Sequence, residues 1–152
     1  MAVESKCTEW MTRTSAIFSP SYDELRPSHG HLPWFEQMMQ LREAQNRYRF
    51  LDAAQIIKHA FGLFSCYKPR EVRLVYLYWE PRNGETWKEC RQHRAEADDL
   101  AAKVAQSPVK LIPMSYRELW ADWERQSSSD HVRYLRTRYD LEVWPEDREA
   151  SA

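Results

Sequence analysis

The sequence predicts an α/β fold, a mixed or parallel sheet flanked by helices, and three segments carry that prediction. Ala2 to Cys7 alternates small or apolar side chains with polar ones at period two, as a strand with one buried face does. Glu71 to Glu80 places Val72, Leu74, Tyr76 and Tyr78 on one face and Val75, Leu77 and Trp79 on the other. Apolar on both sides, it reads as a central strand. Phe50, Ala54, Ile57, Phe61 and Phe64 recur at helical spacing and leave Gln55, Lys58 and His59 at the polar border of that stripe.

The remaining elements follow in chain order. Residues 12–33 hold Pro20, Pro27, Gly30 and Pro33 among Ser, Thr and His, the composition of a long irregular loop. A helix starts near Trp34 and bends or restarts at Asp52, which stands three residues before Gln55, the spacing of an N-cap and its N3 partner. Gly62 marks a stop or kink. After the Asn83-Gly84 turn, Thr86 and Glu89 form a capping-box pattern opening a helix to about Gln106, with Trp87, Cys90, Ala97, Leu100 and Val104 on its stripe. Val109 to Met114 is a short strand. Ser115 and Glu118 repeat the capping box before a helix with Tyr116, Leu119, Trp120 and Trp123 on one face. Ser129 or Asp130 opens a last helix, Leu141 to Trp144 reads as a final strand, and residues 145–152 as a disordered tail. The whole, residues 1–152, is read as one domain.

Composition excludes several classes. Of 152 residues, 43% are hydrophobic and 13% aromatic, with only three Gly, which rules out a low-complexity chain. Net charge is −1, so no global basic field marks a nucleic-acid binder. Between Arg42 and Arg73, however, seven basic residues stand against three acidic ones, and between Asp140 and Glu149 five acids stand against Arg148. Cys7, Cys66 and Cys90 are widely spaced and form no C-x-x-C pair, so a disulfide framework or zinc ribbon is not indicated. A reducing cytoplasm is the expected compartment. No apolar leader and no apolar run long enough to span a bilayer is present.

The chemistry is concentrated at Glu4 and Lys6. Residues two apart on a strand share a face, so both side chains reach one pocket. A carboxylate there can ligate Mg²⁺ through oxygen, while the ammonium orients water or stabilises charge on a phosphoryl transition state. That division of labour suits phosphodiester hydrolysis. Gln55, Lys58 and His59 are candidates for contacting phosphate or water beside it. His29-Gly30-His31 lacks a third ligand at useful spacing and is read as loop. Trp79, Trp87, Tyr116, Trp120 and Trp123 are read as core rather than as base-stacking platforms, and Cys7 as buried packing.

The run Val3-Glu4-Ser5-Lys6-Cys7-Thr8-Glu9 resembles the third core strand of the PD-(D/E)XK superfamily of restriction-endonuclease-like proteins. Phe18 to Tyr22, Leu51 to Ala60 and Leu74 to Pro81 agree with it, so that the resemblance covers nearly the whole chain. It implies a Mg²⁺-dependent nuclease acting on DNA, with Glu4 as metal ligand and Lys6 as the catalytic cation, and Gln55, from the polar border of the helix after Asp52, is taken as a third catalytic residue. In that superfamily a first metal-binding Asp stands on a strand hairpin upstream, and here only Met1, Ala2 and Val3 precede Glu4. The expectation is therefore an N-terminally truncated fold with little or no activity. Its alternatives are a non-enzymatic module that binds nucleic acid or a protein partner, or a missing N-terminal segment supplied in cis. An exposed strand edge at residues 2–7 further predicts a homo-oligomer.

Overall fold

The computed structural model describes residues 1–12, 15–67, 70–126 and 130–144. Strands β1 (Ala2–Lys6), β2 (Val72–Tyr78) and β3 (Val109–Ser115) form one sheet in that order, each pair parallel. The sheet is thus parallel throughout, not mixed. The connections explain why. Between β1 and β2 lie α1 (Arg26–His29), α2 (Pro33–Glu43) and α3 (Ala53–Tyr67), and between β2 and β3 lies α4 (Lys88–Lys103). Each is a crossover long enough to bring the chain back in the same direction.

Two crossovers of the same hand, stepping the same way along a sheet, lay their helices on one face. That face carries Ala2, Glu4 and Lys6 in register with Leu74, Tyr76 and Tyr78. Gln55 of α3 bonds Lys6, and His93 of α4 bonds Tyr76, so both helices cover it. Trp34 of α2 is fully buried and donates its indole N–H to the Val109 carbonyl. After β3 come α5 (Tyr116–Gln126) and α6 (Asp130–Tyr139).

Several expected details are corrected. Leu141 to Trp144 is not a strand: the Arg82 N–H donates to the Leu141 carbonyl, and the Asn83 side chain bonds both backbone groups of Val143. A side-chain clamp replaces a ladder there. The expected loop at 12–33 contains a 3-10 helix (Pro20–Leu25) running into α1. Pro20 and Pro27 each stand in a first helical turn, where a missing N–H costs nothing, so they open helices instead of breaking the chain. Gly62 lies inside α3, with nothing near its missing side chain. The expected tail at 145–152 lies outside the described residues.

Capping divides the same way. Asp52 Oδ1 accepts from the Gln55 N–H, and Ser115 and Glu118 exchange side-chain bonds with each other's N–H, as their spacing requires. Thr86 does not cap α4. Its hydroxyl turns back to the Asn83 carbonyl, closing a 3-10 turn, and the helix starts two residues later.

Candidate active site

β1 and α3 together build the site. Strand alternation puts Glu4 and Lys6 on the face under α3, and the Asp52 cap fixes where α3 begins, so Gln55 falls in its first turn directly opposite them. The Gln55 amide bridges the pair, donating to Glu4 Oε1 at 2.9 Å and accepting from Lys6 Nζ at 2.7 Å. Lys6 Nζ lies 3.5 Å from the same glutamate oxygen. One helical turn on, His59 Nδ1 meets Glu4 Oε2 at 2.9 Å. Glu4 and Lys6 side chains are 12% and 16% exposed, so this network is shielded yet reachable.

Not every candidate arrives. Lys58 Nζ sits over the Phe18 ring, 5.5 Å from its centroid. Described basic residues between Arg42 and Arg73 are engaged in different ways. Arg42 pairs with Asp23, Arg47 bonds Gln40, and Arg73 lies in β2 in register with Lys110.

Lys6 also borders a cavity of about 220 Å³ shared with Glu9, Trp10, Thr12, Asp52 and Tyr76. Glu9 accepts the Cys7 N–H, and backbone N–H groups hold its carboxyl below the ordinary glutamate range. Beneath the cavity, Tyr76 bonds His93 Nε2 at 2.8 Å, with Trp10 stacked on the imidazole. Burial, with the Arg94 charge adding to it, pushes His93 down to about 3, and burial pushes the Tyr76 phenol up. Both are neutral at physiological pH.

Whether this centre suits Mg²⁺ is decided by its donors. Glu4 is the one carboxylate in the network, and its two oxygens face Gln55, Lys6 and His59. Glu9 and Asp52 spend oxygens on backbone N–H groups, and Asp23 is bound by Arg42. Among the described residues no three His, Cys, Asp or Glu side chains gather to hold a metal ion. Catalytic Mg²⁺ is normally held by one or two carboxylates together with substrate phosphates. Glu4 meets that count alone, but its oxygens are already engaged by an amide, an ammonium and an imidazole, so the centre does not fit the ion.

Some features escape sequence reasoning. His93 and Glu96 are buried on α4, where polar residues were not expected. The Glu96 carboxylate accepts the N–H groups of Arg49, Phe50 and Leu51, which sets the segment leading into α3. The signal was their place at helical spacing between Cys90, Ala97 and Leu100. Trp87 and Trp120 are buried as expected, but Trp123 is half-exposed and, with Trp79 and Tyr116, lines a cavity. Cys7 is exposed at the same cavity, not buried, because the chain leaves the strand at Lys6. His29 is buried, with Ser28 on Nδ1 and Ser65 on Nε2.

The family model described as Restriction Endonuclease associating with ARP matches residues 1–140. The match begins at residue 1 and gives no support to the expected truncation. No curated protein and no solved structure matches the chain. Among the described residues no helix is long and apolar enough to cross a membrane.

Proposed function

We propose, from the premise that this chain belongs to the family of restriction endonucleases associating with ARP, that it engages DNA at the Glu4, Lys6 and Gln55 centre. As the 152-residue chain alone, it binds without appreciable cutting. The observation that carries this reading is the closed bonding of Glu4, whose oxygens are shared among Gln55, Lys6 and His59. Lys6 supplies the cation toward a phosphate oxygen, Gln55 fixes the spacing of the pair, and Glu4 holds Lys6 and His59 in place.

The test is incubation of plasmid and single-stranded DNA with the chain in Mg²⁺ or Mn²⁺, comparing wild type with Glu4→Ala and Lys6→Ala. Intact DNA is expected throughout. Lys6→Ala should weaken binding and flatten its dependence on salt by about one counterion. Metal-dependent nicking that vanishes in both variants would overturn the reading.

The outer edge of β1 has no strand partner among the described residues, because the sheet order puts β2 on its other side. Unpaired edges invite pairing. A two-fold dimer through β1 is therefore expected, seen in sedimentation as a mass that doubles with concentration and is lost when Val3 is replaced by Pro. A monomer at every concentration would exclude it.

A further inference from the structure

The carboxyl ends of all three strands converge on a second, apolar cavity of about 260 Å³. Cys7, Trp79 and Tyr116 in its wall are the residues that directly follow β1, β2 and β3. Trp120 and Trp123 of α5 and Leu135 and Tyr139 of α6 complete it. In parallel α/β sheets, ligands bind outside the carboxyl ends of the strands. The cavity lies at that end of the sheet, and the chemistry of its wall says which ligand it suits.

Aromatic rings dominate the lining, and Trp123 and Tyr139 are 41% and 44% exposed, so their rings are open to a visitor. Arg138 lies over the Tyr139 ring, which places a cation beside that ring. Such a combination suits a flat π system attached to an anionic chain better than an aliphatic peptide side chain. The cavity is also tied to the polar centre through backbone. The Trp79 N–H donates to the Lys6 carbonyl at 2.9 Å, and the Trp79 carbonyl accepts from the indole of Trp10, which borders the Lys6 cavity.

We propose that this cavity receives an unpaired nucleobase from the strand whose phosphate meets Lys6. The proposal rests on the DNA reading above and extends it to a preference for unpaired or splayed bases. It requires no bond making: the base leaves its stack, and the Trp and Tyr rings replace its neighbours.

The experiment uses a short single-stranded oligonucleotide carrying 2-aminopurine, the matching duplex, and an oligonucleotide with an abasic position in place of the fluorescent base. Wild type should quench the 2-aminopurine and bind the single strand roughly tenfold tighter than the abasic strand, since one stacked base contributes about that factor. Trp123→Ala should abolish the quenching and the preference, and Trp123→Phe should restore most of both. The abasic comparison needs only wild-type protein, so it decides the matter even if Trp123→Ala fails to fold. If the strand binds and Lys6→Ala weakens it, but base removal and Trp123→Ala change nothing, the cavity proposal falls while the DNA reading stands. If wild type binds no oligonucleotide, both fall.

Discussion

Replacing Glu96 by Ala is expected to destabilise the protein by about 4 kcal/mol, since it strips one buried carboxylate from three backbone donors at once. The Arg49, Phe50 and Leu51 N–H groups approach that carboxylate at 2.9, 2.8 and 2.9 Å, and Phe50 and Leu51 are buried. Water cannot readily replace it. For a chain of this size the loss corresponds to a fall in Tm of roughly 10 °C. The same change should loosen the approach to α3 and so blur the spacing of Gln55 from Lys6. Glu96→Gln keeps one acceptor oxygen and should recover part of the loss. Thermal and urea melts of the three proteins provide the check, and a deficit below about 1 kcal/mol for Glu96→Ala would mean that the segment finds other acceptors.

Arg94→Ala should be comparably severe at neutral pH and much milder in acid. The Arg94 guanidinium grips Glu80 through two parallel bonds of 2.7 and 2.8 Å, and Glu80 is only 5% exposed. Deleting one partner of such a pair costs about 3–5 kcal/mol, because it leaves a charge buried alone. Burial already raises the Glu80 carboxyl above its ordinary value, against the opposing pull of Arg94. Without the arginine it rises further. A carboxyl raised in the folded state favours folding while protonated, below the unfolded value, and that contribution is lost as pH climbs through the folded value. The variant's deficit should therefore be small near about pH 4 and full at about pH 7. Equal deficits at both values would refute the argument.

Much of this was legible in the sequence. Period-two alternation fixed β1 and the shared face of Glu4 and Lys6, and the Asp52 and Gln55 spacing placed the start of α3, which brings Gln55 to them. Other features were not legible, for physical reasons. Strand direction is a property of the connections, and Leu141 to Trp144 has strand composition but meets a clamp from Asn83. Thr86 and Glu89 have the right spacing for a cap, yet the competing Asn83 carbonyl takes the hydroxyl. Periodicity shows which face of α5 is apolar without showing that the face borders a cavity. Nor does it reveal that a Glu within an apolar stripe is feeding three N–H groups of a distant loop.

The sheet register carries a consequence for how the site comes into being. Val72 pairs with Val109 across a single helix, whereas Ala2 pairs with Leu74 across three helices and the long segment joining them. Contacts closer in sequence close first, so the β2, α4 and β3 unit is the natural nucleus and β1 docks onto it afterwards. Glu4 and Lys6 are therefore among the last residues to be placed. Until β1 docks, Gln55 has neither of its partners. In an edge strand of five residues the reverse step is also the easiest local opening, so the centre can be dismantled while the rest of the protein remains folded.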